Sequence, residues 1–423
     1  MAEIRPFRGL RFSASAGTFD RLVAPPYDVL SAVQRDEYAS RSPFNIVHLT
    51  LPEEKPDDRS KYVKYARSAA LLSEWRRQGV FVPDPQPSLY RYTQRFEVDG
   101  QTHVRTSIIA LLKVEPFETG TVLPHEQTFP KHKEDRLRLL EATRSHLESI
   151  FGLYEDPGGE LLDLVRSAPA SEVAECDVDG LDQKIEVIAD EATKAEIVKA
   201  FAGKRIWIAD GHHRYETALG FRAALGKKDG PVPEDYMIIA LASMSDPGLV
   251  LLPTHRVVPA LKGVGPEKVV EPLRRLFHVE SIRPQEIPSK LLEAEAAGEK
   301  RIAVALHGEQ GFWLIPRDER ALLDELSGPE SDKLKRLDAT ILHRVVFEKL
   351  LELSPTAAIE YTRDAHEAIL AANEGRGAAF LMTPPTIEEM KDIALAGERM
   401  PQKSTYYYPK IWGGPVAWSL NDF

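Results

Sequence analysis

Residues 89–98 alternate between apolar and polar side chains, Asp99-Gly100 follows, and residues 102–114 run back. A two-residue Asp-Gly step between such runs specifies a tight hairpin, because both turn positions favour residues that tolerate positive φ. A hairpin makes consecutive strands antiparallel, which a regular strand–helix–strand crossover cannot do. Residues 236–242 and 249–258 predict a second hairpin around Ser245-Asp246-Pro247-Gly248, and residues 302–306 and 312–315 a third around Gly308 and Gly311. Helical spacing lies between them, over residues 60–78, 135–149 and a long amphipathic stretch at 332–353. Hairpins mixed with helices predict an α+β fold with mixed or antiparallel sheets and argue against a doubly wound sheet.

With 423 residues the chain has room for two or three domains. The changes in character predict three consecutive regions: an N-terminal α+β region at 1–120, a central region at 121–262 and a C-terminal α+β region at 263–423. Within the first, Pro25-Pro26-Tyr27-Asp28-Val29 is an extended turn, with Asp28 placed to cap a helix through Gln34, Glu37 and Tyr38. Residues 115–134 read as a long polar loop, and 155–200 as a helix, a short strand and a helix.

A net charge of −11 leaves no global basic field, so nucleic acid is not expected as the main partner. The single cysteine, Cys176, excludes an intrachain disulfide framework. The amino terminus has no apolar signal segment, and the longest apolar runs are too short for a bilayer. A cytoplasmic protein without membrane association is expected. Walker A, GxGxxG and GxSxG motifs are absent from the sequence.

The chemistry concentrates in Asp210-Gly211-His212-His213-Arg214-Tyr215, between the apolar run Ile206-Trp207-Ile208-Ala209 and a helical stretch ending near Gly226. Two imidazoles and a guanidinium then occupy the first turn of a helix. Backbone N–H groups and the helix dipole favour an anion there, and cations are tolerable only if an anion offsets them. A phosphate-binding corner made by Gly211, His212, His213 and Arg214 follows. Asp210, at the strand end, is placed to hold a divalent cation or orient a histidine. The bland alternative is a surface turn capped or shielded by the two histidines, with Arg214 paired to Glu216 or another carboxylate.

Pro124-His125-Glu126-Gln127-Thr128 is the second cluster. Glu126 beside His125 offers a general base, a metal ligand or a solvated turn. Lys131, His132, Lys133 and Arg136 follow it and make a local basic segment. Thr254, His255 and Arg256 close an apolar strand as a site-lining corner or an ordinary strand end. Tyr406-Tyr407-Tyr408 offers either a stacking platform or core packing, with packing the commoner use. Adjacent His212 and His213 diverge by about 100° on a helix and chelate one ion poorly. His343 and His366 fit structural roles, and the metal, if any, is unknown.

These motifs, with Pro43-Phe44-Asn45, Asp135-Arg136-Leu137, Leu252-Pro253-Thr254-His255-Arg256 and Ser404-Thr405-Tyr406-Tyr407-Tyr408-Pro409-Lys410, resemble the bacterial and archaeal family catalogued as domain of unknown function ten-fifteen. The Asp-Gly-x-His-Arg corner is also similar to the phosphate-binding box of the ParB/sulfiredoxin-like superfamily, which includes nucleotide-dependent kinases of free L-serine. The resemblance implies a ParB/sulfiredoxin-like core plus a further α+β region. It also implies ATP or ADP as phosphate donor with Mg²⁺, a link to serine metabolism, and transfer to a small hydroxylated metabolite, serine first. On physical grounds Glu126 is nominated as base, assisted by His125 and Asp210. Arg136, Thr254, His255 and Arg256 would hold the substrate. Two alternatives stand beside this: a metal-dependent hydrolase or phosphatase using His125, Glu126, Asp210 and His212, and a non-catalytic ParB-like nucleotide-binding module.

Overall fold

The computed structural model describes residues 2–128, 130–226 and 228–423. The chain packs as two compact units. One comprises Met1–Pro124, Thr128–Val250 and Pro409–Phe423; the other His125–Gln127 and Leu251–Tyr408. This division differs from the three consecutive regions expected. Strands from both sides of residue 120 share one sheet, and the last residues of the chain return to it.

Among the described residues of the first unit, nine strands form that sheet: β1 (Ile4–Arg5), β2 (Leu89–Val98), β3 (Gln101–Lys113), β4 (Val122–Leu123), β5 (Ile150–Tyr154), β6 (Ser171–Val178), β7 (Leu181–Ile188), β8 (Ile206–Asp210) and β9 (Tyr236–Ser243). Their order is β4-β8-β5-β9-β3-β2-β7-β6, with β1 alongside β3. The first expected hairpin is β2–β3, with Val98 opposite Gln101 and positive φ at Asp99 and Gly100. The second expected hairpin does not form. Residues 236–243 instead become a central strand, β9, antiparallel to β3 and parallel to β5. All of β9 is buried, as suits an unbroken apolar run covered on both faces. The single strand expected within 155–200 is a second hairpin, β6–β7, whose many charged residues hid its periodicity.

Six helices of this unit matter below: α1 (Ala32–Arg41), α2 (Val63–Arg77), α3 (Pro130–Thr143), α4 (Glu160–Ser167), α5 (Glu191–Phe201) and α6 (His212–Ala224). Ser31, not Asp28, caps α1, in a reciprocal capping box with Gln34. The expected loop at 115–134 is shortened by a turn at Phe117–Thr119, by β4 and by the start of α3. One face of the sheet buries Ile108, Ala110 and Leu112 with Ile206, Ile208, Met237, Ile239 and Leu241. Tyr215 and Ala218 of α6 join the same core, so burial of apolar side chains fixes that helix against the sheet.

In the second unit, six strands form an antiparallel sheet: β10 (His255–Val258), β11 (Phe277–Ile282), β12 (Ile302–Leu306), β13 (Gln310–Pro316), β14 (Glu360–Thr362) and β15 (Ala378–Met382). Their order is β11-β13-β12-β15-β10-β14, and the third expected hairpin is β12–β13. Both faces are covered: Ile302, Val304 and Leu306 enter one core, Ala303 and Ala305 the other. The expected long helix at 332–353 is broken. Asp332–Lys335 and Asp338–Thr340 are short helical turns, and Ile341–Leu350 is a π-helix. Its wider turns bury the consecutive Val345, Val346 and Phe347, which a narrow amphipathic stripe could not. Among the described residues, no helix is long and apolar enough to cross a membrane.

Candidate functional site

Strand β8 carries four buried apolar residues, Ile206 to Ala209, and delivers Asp210 at its carboxyl end. Gly211 then turns the chain with φ of 93°. A Cβ at this position would lie 2.6 Å from Ile150 Cγ2 and 2.9 Å from Ile150 Cβ. Glycine is required twice over, by backbone conformation and by space. Helix α6 starts at His212 without a side-chain cap, and its first turn contains no acidic residue. By contrast, Ser31 and Asp190 cap α1 and α5 with side-chain oxygens. The positive end of the α6 dipole is therefore not neutralised from its N-cap position.

Three charged groups meet at the turn. Asp210 accepts from Arg214 Nη2 at 3.0 Å through Oδ2 and from Lys410 Nζ at 2.5 Å through Oδ1. Arg214 Nη1 donates to the Ser149 carbonyl at 2.9 Å, so the guanidinium braces the turn from β5's approach. Lys410 is fixed by its own backbone: Arg105 donates to the Pro409 carbonyl at 2.5 Å, and the Gln94 amide to the Lys410 carbonyl at 2.9 Å. Burial alone would raise the Asp210 carboxyl, but Lys410 and Arg214 outweigh it and hold the group well below the ordinary range. His212, itself buried, adds to that effect.

This geometry bears on two readings of the corner. Both Asp210 oxygens already face side-chain cations, so Asp210 is an anchor for Lys410 and Arg214 and does not fit a divalent-cation ligand. Arg214 pairs with another carboxylate, Asp210, and not with Glu216, which accepts from the Thr128 hydroxyl at 2.6 Å and Lys133 at 2.9 Å. Among the described residues, no three His, Cys, Asp or Glu side chains are grouped to hold a metal.

Beside the corner lies a small cleft of about 40 Å³, lined by Arg136, Leu139, Leu140, Ser145, His146, Leu147, Glu148, Arg214 and Thr217. At ~10–15 Å³ per ordered water it has room for about three waters, or for a functional group of comparable size. Arg136 is held by Asp135 at 2.9 Å through Nε and by the Thr50 carbonyl at 2.8 Å, and lies 3.8 Å over the Tyr27 ring. Burial pushes His146 down to about 4, so its ring is neutral at pH 7. Glu148 accepts from the Tyr27 N–H at 3.2 Å, and its other oxygen sits 3.9 Å from Arg214 Nη1. Burial raises the Glu148 carboxyl above its ordinary range, although Arg214 and Arg136 oppose the shift. The sequence offered one signal for Glu148: a single acid within the apolar run Leu147 to Phe151.

The remaining sequence-predicted residues lie in the second unit. His125 is fully buried, with Nε2 2.8 Å from Thr405 Oγ1 and Tyr407 edge-on at 6.5 Å. Glu126 bridges in parallel to Met400 and accepts from the Thr405 hydroxyl at 3.4 Å. Thr254, His255 and Arg256 are buried, the last two at the start of β10, where the sequence left a site-lining corner and an ordinary strand end both open. His255 Nδ1 accepts from the Met382 N–H at 3.3 Å, and Arg256 donates to the carbonyls of Thr254 and Lys403. Tyr407 packs fully buried in the strand Tyr406–Tyr408, while Arg363 lies 5.1 Å and 5.2 Å over the flanking Tyr406 and Tyr408 rings. The side chains of Lys131 and His132 lie outside the described residues.

A family model described as "Protein of unknown function (DUF1015)" matches residues 4–340. No curated protein matches the chain. Solved structures that resemble it include a mutant free serine kinase in complex with ADP, at 15% identity over 71% of this chain and 87% of that one, with a TM-score of 0.36. A conserved hypothetical protein from Pyrococcus furiosus is similar at 16% identity over 74% and 96%, TM-score 0.36. SbnI with a C-terminal truncation, from Staphylococcus aureus, is similar at 14% identity over 71% and 84%, TM-score 0.36. With superpositions this loose, the functional reading rests on this chain's own residues.

Proposed function

The chain belongs to the family described as Protein of unknown function (DUF1015), and from its Gly211 corner we propose that it binds the phosphates of a nucleotide, ATP or ADP, and transfers a phosphoryl group to a small hydroxylated metabolite, free L-serine first. The observation that carries this reading is the start of α6 at a glycine that admits no side chain and so supplies no side-chain cap, with Lys410 and Arg214 locked beside it. Such a helix start offers backbone N–H groups and a partial positive charge to phosphate oxygens. Side chains of His212 and His213 supply further donors.

Phosphoryl transfer asks for charge neutralisation and in-line placement more than for covalent help. Lys410, Arg214 and the helix start supply fixed positive charge whose geometry is set before the ligand arrives. Mg²⁺ would travel with the nucleotide phosphates, because Asp210 is committed to its two cations. Arg136 borders the neighbouring cleft and is the substrate-binding residue of the first unit. Glu126 and His125 are the sequence-based candidates for the base, beside which a second carboxyl is weighed below, and Thr254, His255 and Arg256 are those for substrate contacts. Incubating the full-length protein with ATP or ADP, Mg²⁺ and L-serine should yield O-phosphoserine, read by mass spectrometry. A pure protein that forms none at saturating substrates overturns the kinase reading, and nucleotide binding without transfer would favour the sensing module instead.

A further inference from the structure

The cleft beside the corner contains a carboxyl that the sequence-based mechanism does not use. Glu148 is buried to 6% relative exposure and borders the cleft together with Arg136 and Arg214. One of its oxygens is positioned by the Tyr27 N–H at 3.2 Å. The other, Oε2, stands 3.9 Å from Arg214 Nη1, beyond hydrogen-bond distance, so no guanidinium closes on it in a bidentate pair. A buried carboxyl whose nearest guanidinium stays beyond hydrogen-bond distance costs stability, and such groups concentrate where proton transfer is needed. We propose that Glu148 is the proton acceptor of the site and that the cleft between Arg136 and Arg214 seats the acceptor's hydroxyl-bearing end. This assignment rests on the phosphoryl-transfer reading above.

The step balances. The acceptor hydroxyl's O–H bond breaks and its proton passes to Glu148 Oε2. A bond forms between the hydroxyl oxygen and the transferred phosphorus, while the bond from that phosphorus to the nucleotide's bridging oxygen breaks, its electron pair leaving with the nucleotide. Glu148 returns the proton to solvent. Charged and titratable groups around Glu148 set its protonation: Tyr27 and Asp28 from the loop before α1, Arg136 from α3, Arg214 from α6, and His146, which borders the same cleft. Burial raises the carboxyl and Asp28 adds to the rise; the two guanidiniums limit it. His146, uncharged near neutral pH, adds no competing positive charge.

The experiment measures O-phosphoserine formation against pH for the full-length wild type, Glu148→Gln and Glu148→Asp, with nucleotide affinity by calorimetry and folding by circular dichroism. Glu148→Gln should lose on the order of 100-fold or more in rate while keeping nucleotide affinity, and the acid limb of its pH–rate profile should disappear. Glu148→Asp retains a carboxyl and should keep part of the rate with the acid limb displaced, which separates a chemical role from a folding defect. An active wild type with an equally active Glu148→Gln overturns this assignment alone. So does loss of the acid limb in Asp28→Asn or Glu126→Gln with Glu148→Gln still active. An inactive wild type overturns the assignment together with the kinase reading.

Discussion

Asp210 is the residue on which the corner turns, because it pairs two cations that arrive by different routes. Arg214 is its near neighbour on α6, whereas Lys410 comes from 200 residues away along the chain. All three side chains are largely buried, at 10–12% exposure. Removing the carboxylate would leave two buried cations without their partner, at a cost of about 3–5 kcal/mol. Asp210→Asn should lower stability in urea by that amount at pH 7; equal stability would refute the pairing. The folded-state carboxyl is depressed, so its contribution is fully present above the ordinary Asp range and is lost as pH falls through the folded value. The gap between wild type and variant should therefore close in acid. Glu148 has the opposite sign. Its folded carboxyl is raised, so it costs stability once pH exceeds its ordinary value, increasingly up to the folded one. Glu148→Gln should melt higher than wild type at pH 8, with the difference shrinking toward pH 4. Residues of this kind are the hardest to read from sequence: nothing local distinguishes Lys410 from other tail lysines, and Glu148 carries only the faint signal of one acid among the apolar residues near β5.

The elements that were legible share one property, local chemistry that fixes local geometry. Asp99-Gly100 specified the β2–β3 hairpin, and Asp210-Gly211 specified the strand-to-helix turn, before any long-range contact was known. Gly211→Ala tests the second. It forces an alanine into positive φ and places a Cβ against Ile150, so a loss of about 1–3 kcal/mol is expected, with weakened nucleotide affinity. An alanine variant as stable as wild type would show that the corner relaxes freely. Elements whose form depends on distant partners were not legible. The run at 236–242 reads as half a hairpin, yet its pairing with β3 and β5 makes it a central strand. The stretch at 332–353 carried a helical period, but Ile341–Leu350 winds as a π-helix, which periodicity does not foretell.

At the scale of the molecule, sequence order and packing part company. Residues 409–423 complete the first unit: Ala417 pairs with Leu10, Gly413 with Ala24, and Trp418 with His146. The same segment delivers Lys410 to Asp210. Three consecutive regions were the natural expectation for a chain whose character changes near residue 263, because nothing in a composition shift records a return crossing. Deleting residues 409–423 should therefore do more than remove a tail. It should broaden or abolish the cooperative unfolding of the first unit, observed by calorimetry, and reduce nucleotide binding. A truncated protein with unchanged unfolding and affinity would contradict this role. The α+β class and the strand–turn–helix corner at Gly211 were readable because both follow from local turn chemistry.

The central claim is that the start of α6 holds nucleotide phosphate. Crystals grown with ADP and L-serine test it most directly. Phosphate oxygens should lie within hydrogen-bond distance of backbone N–H groups at residues 212–214, with Lys410 and Arg214 still on Asp210. ADP bound elsewhere with this helix start left to water would contradict the account.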